Sequence, residues 1–433
     1  MSTTIAPSTE TIKSTVLDNG LRVVVKPDSR APIAVSQIWY RVGSSYEQRG
    51  LTGISHLLEH MMFKGTARYP EGTFSEIVSR QGSRENAFTG RDFTAYFEIL
   101  AADRLPVAFE LEADRMANLD IRAETLETER EVVLEERRLR TDDRPEGRFL
   151  ERYAAVAEAG TAYAHPIIGW SDDINAIDED DLRRWYQQWY APANANLVVA
   201  GAVDPSEVFE LAEAHFGMLQ GPQAARPCDP RALVPPGERR LVYRDAQSRL
   251  THLRIGYRVP SFATAETEDD AYALMMLATI LDGGEGGRLT DALVRGSRQA
   301  TVINASYNGM TRLDAEFTCH AVCPNDHTET LEQSLRSQIA RLSAEPVSEN
   351  ELRRARSQLI ADHFFSADDV FNQAMQIGQL EAIGAGWATF SAFEHKLQSI
   401  TQGRLQAVAQ RYLKTENSVI GILSPAESDV KAV

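Results

Sequence analysis

His56, Glu59 and His60 stand in the stretch LTGISHLLEHMMFKGT, residues 51–66 of a 433-residue chain that has nine histidines in all. The stretch reads as an apolar helix, and a helix places positions i, i+3 and i+4 on one face. Three polar groups therefore point the same way from an otherwise apolar segment. Neutral imidazoles are common zinc ligands, and two of them at i and i+4 can grip one ion from a single helical face. Hydrolysis at such an ion needs a third protein ligand, an open position for water, and a carboxylate to take that water's proton. Glu59 is placed for the last role. The order His-x-x-Glu-His is the inverse of the commoner His-Glu-x-x-His and carries the inverzincin signature.

The third ligand belongs on another rigid element. The segment LETEREVVLEERRLR, 126–140, offers several glutamates. Glu129 and Glu136 lie seven apart and share a helical face, with Val132 and Val133 expected to pack that face inward, while Glu135 falls off it. Glu136 is the expected ligand and Glu129 an auxiliary carboxylate behind the site. Each segment alone also fits a blander description, core histidines beside a solvated, salt-bridged helix. Their conjunction favours the metal site.

These side chains need elements to hold them. LDNGLRVVVKPDS has an Asn-Gly turn before a Val-rich run, and APIAVSQIWYRVGSSYE is a second strand of the same kind. Helices are expected at about 52–64 and 102–117 with the strand DFTAYFEIL between them, then at 123–142 and 178–190, leading into the strand NANLVVAGAV. The order is α+β. A Pro- and Gly-rich segment, 221–238, reads as a linker, dividing an N-terminal metal-binding domain, 1–220, from a C-terminal domain, 239–433.

The second domain reads as a copy of the first. IWYRVGS at 38–44 matches IGYRVPS at 255–261, an offset of 217, and NANLVVAGAVDP is echoed by ENSVIGILSP. The same offset carries His56, Glu59 and His60 onto Ala273, Met276 and Leu277. The copy keeps the apolar helix and lacks every polar group, so one metal per chain is expected.

Composition narrows the partners. Hydrophobic residues make up 43% of the chain, and 62 acidic against 45 basic side chains give a formal net charge of −17. Such a surface repels polyphosphates, which excludes nucleic acid as a natural partner and mildly favours basic or neutral peptides. No run approaches the roughly 20 apolar residues that cross a bilayer, so no membrane insertion is expected. The start MSTTIAPSTETIKST has no charged n-region before an apolar core, which points to the cytoplasm; a leader removed upstream would instead mean the periplasm. Three cysteines occur, Cys228, Cys319 and Cys323, without a zinc-ribbon arrangement, and Cys319 and Cys323 are expected as buried or ordinary strand residues. GGEGGR, 283–288, lacks the Lys-Ser/Thr of a P-loop and reads as a turn. His165, before Pro166, is expected to be structural, and His215, His252, His320, His327, His363 and His395, with no matching ligand partners nearby, to be surface or core residues.

GISHLLEHMMFKGT, the glutamates of EREVVLEE, and ENAFTGRDFTAYF together resemble the pitrilysin family of inverted zinc metallopeptidases, which includes insulysin and mitochondrial processing peptidase. The likeness spans essentially the whole chain, and the length resembles the short-chain branch. It implies that His56, His60 and Glu136 ligate one Zn2+, that Glu59 is the general base, and that Glu129 assists. It implies two homologous α/β-sandwich-like domains, and two such chains closing a chamber around substrate. ENAFTGRDFTAYFEIL matches an edge strand to which an extended peptide adds, with Asn86, Ala87, Phe88 and Thr89 as contacts. The alternation of Phe93, Ala95 and Phe97 is strand packing.

One departure stands out. Active members also use an Arg and a Tyr seven residues apart in the second domain. In LVRGSRQATVINASY, Arg295 fits the arginine, but Val302 occupies the tyrosine position and Tyr307 lies further along. The chain thus resembles the zinc-bearing half of a heterodimeric bacterial peptidase such as that of Sphingomonas, paired with a paralogous subunit that carries the Arg/Tyr pair. The implied function is a zinc-dependent endopeptidase of short unfolded peptides; the alternative is a non-catalytic scaffold or core-type subunit of the same fold.

Overall fold

A computed structural model describes residues 11–223, 237–324 and 327–426. Most of the expected linker, residues 224–236, and Cys228 with it, lie outside the described residues. Two sheets organise the rest. The first contains β1 (Lys13–Val16), β2 (Arg22–Pro27), β3 (Ile33–Tyr40), β4 (Arg84–Thr89), β5 (Thr94–Ala101) and β6 (Ala195–Gly201), in the order β1-β2-β6-β3-β5-β4. The second contains β7 (Arg239–Asp245), β8 (Thr251–Val259), β9 (Val302–Tyr307), β10 (Ala315–Cys323) and β11 (Ser418–Pro425), in the order β7-β11-β8-β10-β9. Each sheet has one parallel pair, β2 with β6 and β7 with β11, among antiparallel neighbours. This is the expected two-domain α/β architecture.

The duplication is visible in how each half begins. β3 is followed by the helix Ile54–Met61, and β8 by the helix Glu268–Leu281. Ala273, Met276 and Leu277 of the latter are fully buried in the second core. Apolar side chains there fill the positions that carry the polar triplet in the first copy. Cys319 and Cys323 on β10 are buried, as expected of strand residues. Among the described residues no helix is long and apolar enough to cross a membrane.

The compact units differ from the division expected at the linker. Of the described residues, one unit comprises those up to 136, 165–223 and 363–390; the other comprises 137–164, 237–362 and 391–426. The helix Val370–Ala382 thus belongs with the first sheet and the helix Pro145–Ala157 with the second. The reason is burial. Each sheet has a second apolar face, and a helix from the opposite half of the sequence covers it. Phe149 and Tyr153 pack on Val419 and Leu423 of β11. In the first unit, Phe371 meets Phe97 edge-on, with ring centroids 4.8 Å apart.

That covering helix lies very close to its sheet. A β-carbon at Gly378 would come within 2.1 Å of Trp39 Nε1, which donates to Gln37 Oε1 at 3.0 Å. Gly378→Ala is therefore expected to destabilise by roughly 1–3 kcal/mol, the usual cost of overpacking a dense core. A lowered Tm in calorimetry checks this; an unchanged Tm would mean that the helix stands off Trp39.

The second sheet brings two partly buried histidines together: His320 Nε2 on β10 lies 3.3 Å from His252 Nδ1 on β8. Burial first, then His252 and Arg254, push His320 down to about 4. An unfolded histidine titrates near 6.5, so on acidification the unfolded chain takes up its proton first. The stability that neutral His320 contributes should be full above about pH 6.5 and be lost as pH falls from there through about 4. Denaturant midpoints measured across this range should show the decline, with a shallower slope in His320→Gln; identical slopes would contradict it.

Candidate metal centre

The helix Ile54–Met61 starts at Gly53, whose φ of 89° favours glycine and where a β-carbon would meet Ile168 O at 2.5 Å. The buried Glu47 carboxylate accepts from Gly53 N at 2.7 Å and from Ser55 N at 2.9 Å. An acid thus satisfies the open amides at the positive end of the helix. Burial is the larger influence on that carboxyl and raises it to about 8 against the pull of the two amides. Leu57, Leu58 and Met61 anchor the helix in the first core, while His56 and His60 sit at its margin.

The opposing element is the helix Ala123–Arg137, which continues as a π-helical turn over Arg138–Asp142. Leu126 and Val133 fix it in the same core. Val132, expected to pack inward, is 46% exposed. On a helix with 3.6 residues per turn, Val133 and Val132 flank the Glu129–Glu136 line on opposite sides, and the core lies on the Val133 side only. Glu129 is buried, Glu136 half-buried and Glu135 exposed.

The two helices bring His56, His60 and Glu136 together, with one ligand-capable atom from each within 4.8 Å of the others. Glu136 Oε2 lies 3.6 Å from His56 Nε2 and 3.4 Å from His60 Nε2. The imidazoles meet edge-on, centroids 4.9 Å apart. On the far side of the His60 ring, Nδ1 is 3.1 Å from Glu129 Oε2, and Glu129 Oε1 is 2.7 Å from Lys64 Nζ. Donation from Nδ1 to Glu129 leaves the Nε2 lone pair for the cluster. Two imidazole nitrogens and one carboxylate oxygen form a donor set that suits Zn2+, and these three residues would hold the ion while leaving room for water beside it. The residues present therefore fit the metal.

Among the described residues β4 is the edge of the first sheet, paired with β5 alone. Strand alternation sends Ala87 and Thr89 toward the side of Tyr96 and the His56–His60 helix, and Asn86 and Phe88 to the other. Phe88 accordingly packs on Trp39, centroids 5.4 Å apart, and near Phe93. Asn86 is exposed. Thr89 Oγ1 donates to Glu59 Oε2 at 2.5 Å, a contact that residue spacing alone does not anticipate. The usable signal is the alternation of β4, which aims residue 89 at that helix. Glu47 and Lys64 likewise join the site without a signal in the motif spacing.

His165 donates from Nε2 to Ser44 O at 2.6 Å. The remaining expected residues lie in the second unit. Arg295 is half-exposed on the turn Thr290–Gly296 and donates to Glu285 O at 2.8 Å and Asp291 Oδ1 at 3.3 Å. Val302 is exposed at the start of the edge strand β9. The Tyr307 hydroxyl donates to Pro260 O at 2.7 Å, and burial raises its pKa far above the usual value.

Residues 22–169 match the family model described as Insulinase (Peptidase family M16), and residues 176–359 match the model described as Peptidase M16 inactive domain. Among curated proteins, the chain is 30% identical over 429 residues to the zinc protease PqqE of Helicobacter pylori, covering 95% of this chain and 93% of that one. It is 28% identical over 421 residues to the beta subunit of the mitochondrial-processing peptidase of Lentinula edodes, covering 95% and 89%. Among solved structures, a protease from Helicobacter pylori superposes with a TM-score of 0.89 at 29% identity, over 97% of this chain and 100% of that one. The periplasmic protease PqqL of Escherichia coli shares the fold, with a TM-score of 0.81 at 20% identity, over 96% of this chain but 48% of that one.

Proposed function

The chain belongs to the insulinase family of peptidases, M16, and on that premise we propose that it is a zinc-dependent endopeptidase acting on short, unfolded peptides. The observation that carries the reading is the convergence of His56, His60 and Glu136 within 4.8 Å, with Glu59 on the same helix as the two histidines. These three residues would hold the ion, and Glu129 would fix the His60 ring from behind. Zinc bound there supplies a Lewis acid that polarises the scissile carbonyl and makes water a better nucleophile near neutral pH. Glu59 takes the proton of the attacking water and returns it to the departing amine, so that peptide and water become a carboxylate and an amine. An extended peptide adding to the free edge of β4 would place its backbone beside the site through hydrogen bonds that impose little sequence preference. The emptied second copy at Ala273, Met276 and Leu277 supports one centre per chain, and those residues fall within the region matched by the model described as inactive.

The active form we infer is a heterodimer with a paralogous, Arg/Tyr-bearing subunit. Val302 in place of a tyrosine seven residues after Arg295 supports it, as does a Tyr307 hydroxyl already given to Pro260. A relative of about twice this length, in which the present fold fills 48% of the chain, is consistent with two such halves working together. The test is hydrolysis of a quenched fluorescent peptide by the zinc-loaded chain, alone and with its paralogue, with and without chelator. Chelator-sensitive turnover only in the mixture is expected. Full turnover by the chain alone would remove the partner, and none in either sample would favour the scaffold.

A further inference from the structure

Glu59 has to be held in one orientation if it is to take a proton from a water at a fixed place. Its side chain is long and only half-buried, so the helix backbone alone does not choose a rotamer for it. Thr89 Oγ1 reaches its Oε2 at 2.5 Å, the length of a strong hydroxyl-to-carboxylate hydrogen bond. Thr89 is also the last residue of β4, the sheet edge. We propose that Thr89 is a positioning residue that references the catalytic base to the peptide-docking edge, its backbone belonging to the edge and its hydroxyl holding Glu59. The proposal rests on the peptidase reading.

The surroundings make this joint stiff. The turn after Thr89 closes through Gly90 N to Phe93 O at 2.7 Å. It is tied to the segment before the His56–His60 helix by Ser44 N to Gly90 O at 3.2 Å, Ser45 N to Arg91 O at 2.7 Å, and Thr94 Oγ1 to Val42 O at 2.9 Å. The approach is close enough that a β-carbon at Gly43 would lie 2.3 Å from Gly90 O. Just beyond these contacts, Glu47 holds the start of the same helix through Gly53 and Ser55. Strand end and helix are thus braced at one end through residues 42–47 and at the other through Thr89 and Glu59. A peptide carbonyl placed in register along β4 would be in register with the base.

Thr89→Val keeps the shape and removes the donor; Thr89→Ser keeps the donor. In the zinc-loaded heterodimer, Thr89→Val is expected to lower kcat roughly tenfold to a hundredfold, the scale of a base displaced by about an ångström. KM and zinc content should stay within about twofold of wild type, and Thr89→Ser should restore most of the rate. Added to Glu59→Gln, Thr89→Val should cost nothing further, because the group it positions can no longer act. Wild-type kcat in Thr89→Val, or independent losses in the double variant, would overturn the proposal. A crystal structure of Thr89→Val needs no turnover: Glu59 should leave its present position, and a carboxylate that stays in place would also overturn it. An inactive but zinc-loaded wild-type heterodimer would overturn the peptidase reading instead, with the crystallographic result still deciding the contact.

Discussion

Glu59→Gln is expected to bind zinc as the wild type does and to lose roughly 10²–10⁴-fold in kcat, the range general base catalysis contributes. The substitution is nearly isosteric, and its amide oxygen can still accept from Thr89 Oγ1, the partner that meets Glu59 at 2.5 Å. His56, His60 and Glu136 are untouched, so metal content should stay near one per chain. What disappears is the ability to carry a proton between water and leaving amine. KM should change little, because an interaction made in the transition state has been removed rather than one made with bound substrate. Metal analysis and steady-state kinetics on the same preparation check both halves of the expectation. Turnover within tenfold of wild type would take Glu59 out of the mechanism.

His60→Ala should fail earlier, at metal binding. It leaves His56 Nε2 and Glu136 Oε2, 3.6 Å apart, as the remaining pair, and two ligands from different helices hold zinc far less well than three. It also leaves the buried Glu129 facing an empty position, with Lys64 at 2.7 Å still in place to balance its charge. Loss of stoichiometric zinc and of all measurable turnover is the expected result. Glu129→Gln gives the graded contrast: the ligands remain, but His60 loses its anionic acceptor, and a fall of roughly 10–100-fold in zinc affinity is expected. Competition with a chromophoric chelator separates the two. A His60→Ala chain that retains one tightly bound zinc would show that the ion is held elsewhere.

Local periodicity makes the centre of the site legible in the amino-acid sequence. His56, Glu59 and His60 share a face because helices repeat every 3.6 residues, and Glu136 pairs with Glu129 for the same reason. The alternation that marks strands locates both sheets, and a constant offset exposes the duplication. What stays hidden depends on which distant segments meet. Nothing local says that Val370–Ala382 covers the first sheet, since that requires knowing that Gly378 can lie flat on Trp39. Glu47 escapes because it caps the helix from six residues before Gly53, outside the local capping window. His252 and His320 meet only once the register of β8 and β10 is known, and a slip of one residue would separate them. Val132 lies outside rather than inside because two adjacent helical positions flank the same line, and only tertiary packing decides which flank faces the core.

The most direct test of the metal centre is anomalous scattering at the zinc edge from a crystal of the zinc-loaded chain. One peak bounded by His56 Nε2, His60 Nε2 and a Glu136 carboxylate oxygen is the predicted result. A peak at other residues, or none with these three side chains well ordered, would contradict the assignment.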